Sequence, residues 1–136
     1  MPSATGNFVL DKGYRAAAAI TKFRAVKYSA TPETVTPVTA ATDLIAGFAQ
    51  WSVSAPEITK GKGCTVRQAG ITEAEASAAI ALGALVELIA DGRVRTATAS
   101  SGARVVGRCV GAPATNAGDR ISLELVLDGT PVGATF

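Results

Sequence analysis

A segment of about sixty residues is written twice in this chain. Ile20 and Phe23-Arg24-Ala25-Val26-Lys27-Tyr28 are answered by Ile80 and Gly83-Ala84-Leu85-Val86-Glu87-Leu88. Leu44-Ile45-Ala46-Gly47-Phe48-Ala49 is answered by Arg104-Val105-Val106-Gly107-Arg108-Cys109. Val26 and Val86 are 60 positions apart, as are Gly47 and Gly107, whereas Ala55-Pro56 and Ala112-Pro113 are 57 apart. The first copy is therefore expected to carry about three extra residues around Gln50-Trp51-Ser52-Val53-Ser54. A repeat constrains the whole fold, because each copy must adopt one plan. With 136 residues in total, two such copies are too small to be independent and are expected to share one core.

The plan is β. Arg120-Ile121-Ser122-Leu123-Glu124-Leu125-Val126-Leu127 alternates polar and apolar residues with period two, as a strand with one buried face does. Strands are expected at 23–28, 35–38, 44–53, 64–68, 84–90, 93–96, 104–110 and 120–127. Pro37 places the second of them at an edge. Gly47 and Gly107 each mark a bend or bulge within their strands. Asp91-Gly92 is a hairpin signal, because a tight turn needs positive φ at both central residues. Thr72-x-x-Glu75 has the form of a capping box, and Ala74 to Leu82 is rich in helix formers. A single helix over 72–82, ended by Gly83, is expected to link the copies.

The domain organisation that follows is an N-terminal arm over 1–19, a first β-unit over 20–70, a linking helix over 71–83, a second β-unit over 84–128 and a C-terminal tail over 129–136. In the arm, Pro2, Gly6 and Gly13 break regular structure, yet Phe8-Val9-Leu10 and Tyr14 are more apolar than a linker needs. This segment either adds to a partner as an extra strand or packs on its own domain. Both readings are open from the sequence. The same holds for Trp51, which is either an anchor between subunits or a core residue.

The chemistry that the residues exclude is broad. There is no His, hence no proton shuttle of the usual kind near neutral pH and no Ser-His-Asp triad. Two cysteines, Cys64 and Cys109, stand far apart without a CxxC spacing, so no zinc site and no cofactor site is expected. Their counterparts in the repeat, Ile121 and Ala49, are apolar, so buried free thiols are expected. Lys60-Gly61-Lys62-Gly63 is no phosphate loop. The net charge of +2, with its 13 basic residues scattered, argues against a nucleic-acid partner. No apolar run is long enough for a membrane span, and the start lacks the pattern of an export signal. No catalytic set emerges, and an enzyme is not expected.

The second copy carries a resemblance. Gly83-Ala84-Leu85-Val86-Glu87-Leu88, Asp91-Gly92-Arg93-Val94, the stretch Ala97 to Gly102, Val105-Val106-Gly107-Arg108-Cys109, Ala117-Gly118-Asp119 and Ile121-Ser122-Leu123 together resemble the tailed-bacteriophage head decoration proteins, also called capsid cement proteins. Cys109 stands where such families more usually have Ala. The resemblance implies a mainly β fold: a small β-barrel or β-tulip-like domain of two related β-units, with one short linking helix and a flexible N-terminal arm. It implies a structural virion protein that binds the outer surface of the expanded capsid and stabilises contacts between major capsid subunits. The partners it implies are the major capsid protein and further copies of the chain, as a trimer on the shell. On this reading Asn7, Phe8, Val9, Leu10 and Tyr14 form the capsid-binding arm, and Trp51 is the intersubunit anchor. The alternatives are another virion β-protein, from a tail or fibre base, and a small-molecule- or carbohydrate-binding β-barrel.

Overall fold

Alternation becomes strand where the sequence places it. In the computed structural model, which describes residues 8–98 and 102–126, Ile121 and Leu123 are buried while Arg120 and Glu124 face solvent. The first unit contains β1 (Leu10–Ala16), β2 (Ala25–Tyr28), β3 (Thr34–Pro37), β4 (Ile45–Ala49), the helix α1 (Ala55–Thr59) and β5 (Cys64–Ala69). The second contains β6 (Ile71–Glu75), β7 (Leu85–Leu88), β8 (Val94–Thr96), β9 (Val105–Cys109) and β10 (Arg120–Leu125). The first five strands close a barrel in the order β1-β3-β2-β4-β5, and the others form a sheet in the order β6-β10-β9-β7-β8.

These are one topology used twice. Val26 pairs with Gly47 and Lys27 with Ile45, with a bulge between them. Val86 pairs with Gly107 and Glu87 with Val105, bulged at the same step. Even the seam recurs: Ala16 pairs in parallel with Val35, and Ala76 bridges in parallel to Val94. Gly47 and Gly107 sit at φ 155° and 158°, where a side chain is strained. A Cβ on them would also run into the carbonyl oxygens of Arg67 and Glu124 on the neighbouring strand.

The seam explains why the second sheet closes less fully than the first. In the first unit the Arg15 N–H donates to the Glu33 carbonyl at 2.9 Å and seals β1 to β3. In the second, the corresponding Glu75 N–H donates instead to the carbonyl of Phe23, and Ala25 N–H donates to the carbonyl of Gly92, both at 2.9 Å. The stretch Phe23–Ala25 of unit one thus lies in the seam of unit two. Gly92 allows this approach, since a Cβ there would come within 3.0 Å of the Ala25 carbonyl oxygen. Arg24 Nε and Glu75 Oε1, 3.1 Å apart, add a half-buried ion pair across the junction.

Two apolar clusters result. Tyr14, Ala16, Ile20, Val26, Val35, Ala46, Ala49, Val53, Cys64 and Val66 fill the barrel of unit one. The interior of unit two, built on residues such as Ile80, Val86, Leu88, Val106, Ile121 and Leu123, takes in Ala25, Val38 and Phe48 from unit one. The units therefore share the second cluster, while the first belongs to unit one alone. Cys64 and Cys109 are buried free thiols, one in each cluster, and burial pushes the Cys64 thiol up to about 11.

Four expectations fail for identifiable reasons. The strand with Pro37 is not at an edge: β3 pairs with both β1 and β2, and Pro37 is tolerated because it lies beyond the last pair with β1. The linking helix over 71–83 is absent, and residues 71–75 are strand β6, laddered antiparallel to β10. Its burial has period two, with Thr72 and Ala74 inside and Glu73 exposed. Thr72 caps nothing: its hydroxyl accepts from Gln50 Nε2 at 2.9 Å and donates to the Glu73 carbonyl. The alanines that favour a helix locally also fit where a strand meets a tightly filled core, and tertiary pairing wins. The one helix among the described residues is α1, capped by a Ser54–Glu57 box with Pro56 in its first turn. Lys62, aided by Ser54, holds the Glu57 carboxyl down to about 2.

That helix also carries the extra residues of the first copy. Val53 and Ala114 are equivalent, because they bridge to Ile20 and Ile80 respectively. The length difference falls beyond Val53, in α1 and the turn after it, not around 50–54. Lastly, the arm over 1–19 is not an arm throughout, since β1 occupies residues 10–16 and pairs on both sides. The first unit begins at β1 and the second at β6, not at 20 and 84. The 129–136 tail lies outside the described residues.

Candidate functional site

The residues expected to bind a capsid separate into two groups. Phe8, Val9 and Leu10 are exposed, Phe8 almost completely at 94%. Leu10 opens β1 opposite Ala69, so these three lead directly into the barrel wall. Tyr14 belongs elsewhere: it is buried in the barrel cluster, which corrects its placement in the arm. Its hydroxyl accepts from Gln68 Nε2 at 2.8 Å, and the same amide donates to the Tyr28 hydroxyl at 3.1 Å. The two rings meet edge to face with centroids 6.0 Å apart. A Tyr placed mid-strand, two residues before Ala16, alternates inward, and this period-two signal was available in the sequence. Asn7 lies outside the described residues.

β1 is held to its neighbour by charge as well as by its ladder. Arg67 Nε and Nη2 donate to the two carboxylate oxygens of Asp11 at 2.8 and 3.0 Å. This clamp holds the Asp11 carboxyl below its usual range. On the other side Lys12 pairs with Glu33 at 3.2 Å, and the carboxylate raises the lysine above its ordinary value.

Trp51 is not a core residue. It is 44% exposed, and its indole N–H donates to the Gly63 carbonyl at 3.3 Å, which fixes the ring. It lines a groove of about 430 Å³ with Gly13, Arg15, Glu33, Lys62 and Thr65. Phe8, Val9 and Leu10 do not line this groove, so the structure offers two separate surfaces and not one composite site. Trp51 and Tyr14 both border the groove.

A third surface was missed by sequence reasoning. Leu82, Leu85 and Val110 are exposed on unit two. Gly83 N–H donates to the Cys109 carbonyl, and Leu85 pairs with Arg108, so the stretches that carry these residues run side by side. Their counterparts in unit one are Lys22, Ala25 and Gln50. Ala25 packs in the shared cluster and Gln50 bonds to Thr72, so in unit one this face is covered by unit two except at Lys22, which is exposed. Aligning the repeats would have shown it at Leu82 and Val110, whose counterparts Lys22 and Gln50 are polar, but not at Leu85, whose counterpart is Ala25.

Among the described residues no three His, Cys, Asp or Glu side chains converge as metal ligands would. No helix among them is long and apolar enough to cross a membrane.

No protein-family model matches the sequence, and no curated protein matches it. Among solved structures, the fold is similar to the head fibre gp8.5 N base of bacteriophage phi29, with a TM-score of 0.64 and 18% sequence identity. The likeness covers 88% of this chain and 95% of that one, and so includes both β-units and their arrangement.

Proposed function

We propose that this chain is a structural protein of a bacteriophage virion, working as the base of a fibre or comparable appendage attached to the head. The observation that carries this is the extent of the likeness to a head fibre base, over 88% of this chain and 95% of the other. A single barrel recurs in many proteins, but two units joined through one seam make a more particular architecture. The chemistry fits an attachment role. The groups that stand out are exposed apolar ones, Phe8, Val9, Leu10 and Trp51, which serve contact and not reaction.

Capsid decoration is the second reading. It is favoured by Phe8, Val9 and Leu10, which are free to meet the major capsid protein. Both readings place the protein on the capsid exterior, with self-association on the shell, as a trimer in the decoration case. They differ in copy number. Quantitative mass spectrometry of purified virions of the encoding phage distinguishes them. A fibre base is expected at a small fixed fraction of the major capsid subunit, and a decoration protein at a ratio set by the lattice. Absence from purified virions rejects both.

The apolar lead-in gives a sharper test. A protein lacking residues 1–9 keeps every pair of β1 and should melt as the full chain does. Its co-sedimentation with undecorated shells is expected to weaken at least about tenfold. Undiminished binding would remove Phe8 and Val9 from the docking surface. Deletion through Tyr14 is a poor substitute, because it takes away most of a barrel strand.

A further inference from the structure

We infer that the groove beside Trp51 is a binding site for an acidic sugar, a pyranose bearing a carboxylate, presented by a polysaccharide. The first reason is Gly13. A glycine within a strand weakens it and often marks close approach by a ligand. Here no backbone requirement accounts for it. Gly13 is absent from the positive-φ residues, and a Cβ at this position would meet nothing within 4 Å. Its missing side chain keeps the groove open between Trp51 and Glu33.

The second reason is how the walls are held. Trp51 offers a large apolar surface whose orientation is fixed by the bond from its indole N–H to Gly63. Lys62 is committed to Glu57 at 2.8 Å and to the Ser52 carbonyl at 3.3 Å, and Glu33 is shared with Lys12. Arg15 is different. Its guanidinium makes no ion pair or hydrogen bond with any described residue. Lys12 and Lys62 balance Glu33 and Glu57, so Arg15 leaves the surroundings of the groove net cationic.

The third reason concerns what shape of ligand fits. An extended peptide would seek a free strand edge. None is available at the groove floor, where Gly13 pairs with Thr65 and Tyr14 with Cys64. A sugar ring needs no ladder. Its flat C–H face lies on an aromatic ring, and its rim of hydroxyls meets planar polar groups such as Glu33. A ring carboxylate pairs with a guanidinium in the bidentate geometry that arginine favours. A volume of about 430 Å³ accommodates a short stretch of such a chain.

Trp51 is the sole tryptophan, so its fluorescence reports on this groove alone. The probe is tetragalacturonate, with maltotetraose as the neutral control, titrated into the full chain. A saturable change in emission is expected with a Kd of about 1 mM, a strength suited to a shallow site used in many copies. Maltotetraose should bind at least about tenfold more weakly, and Arg15→Gln should remove that difference. Gly13→Val should abolish binding while leaving the melting temperature unchanged or raised, because a β-branched residue suits a strand. Equal binding of the neutral sugar, retained binding in folded Gly13→Val, or no saturable response overturns the inference. So does a Trp51 response to capsid shells that the acidic sugar fails to compete away, since the groove would then be a protein contact.

Discussion

Gly107→Ala should unfold the protein at ambient temperature or come close to it. Two costs combine at this position. The φ of 158° is one that alanine adopts only with strain, worth about 1–3 kcal/mol. The added Cβ would also collide with the Glu124 carbonyl oxygen, with the Glu124 carbonyl carbon 2.9 Å away and Leu123 Cδ1 at the same distance. The Glu124 atoms are backbone, and the Leu123 side chain is fully buried in the core, so neither can step aside cheaply. Glu124 is locked between Arg108 on β9 and Ile71 on β6, so relief requires the three-stranded ladder to open. A total of about 4 kcal/mol or more is expected, against about 5–15 kcal/mol for a whole domain. Chemical denaturation followed by circular dichroism measures it. Gly13→Ala is the matched control, expected to be neutral or slightly stabilising, since its Cβ meets nothing. A Gly107→Ala protein that melted within a few degrees of the parent would mean that the bulge can be rebuilt without glycine.

The contrast between these glycines shows where sequence reading succeeds. Gly47 and Gly107 were legible because the repeat aligned them, and each occupies a strand with a buried face. Alternation and turn signals likewise gave most strand positions, but not β1 or β6. What the repeat could not give was the junction. Phe23–Ala25 enters the seam of unit two through backbone groups, and no side-chain pattern records that a carbonyl accepts from Glu75 and not from a neighbour in its own unit. The same blindness produced the helix expected at 72–82. Thr72 and Glu75 satisfy a capping box on paper, but their partners, Gln50 and Arg24, are 22 and 51 residues away. Local propensity decides only where no such distant partner competes. The candidate surfaces follow the same division. Phe8, Val9 and Leu10 were identifiable as unusually apolar for a polar stretch. Arg15 and Gly13 became visible only once β1 and β5 were placed together beside Trp51.

Phe48→Ala tests whether the junction makes the two units one cooperative body. Phe48 lies in β4 of the first unit and pairs with Ala25, yet it is fully buried in the cluster that fills the second. Its removal costs the transfer of a large side chain and leaves a cavity that close-packed neighbours refill only in part, about 3–5 kcal/mol. For a chain of this size the melting temperature should fall by roughly 10–20 °C. The location of the damage is more informative than its size. Hydrogen exchange should show lost protection in β7 and β9 of unit two, although the substitution is in unit one. Val35→Ala, inside the barrel cluster of the first unit, is the comparison. If the shared core couples the units, both substitutions lower the protection of both units together, in a single transition. If Phe48→Ala leaves the amides of β7 and β9 as protected as before, the second unit is held by its own interior. The seam contacts of Phe23–Ala25 would then be a docking of two finished domains. Coupling is the expected result, because the Glu75 N–H and the Gly92 carbonyl find these partners, Phe23 and Ala25, in unit one. A second unit deprived of that strand would bury both groups unpaired or open its seam to water, and each choice costs about 1–3 kcal/mol per group.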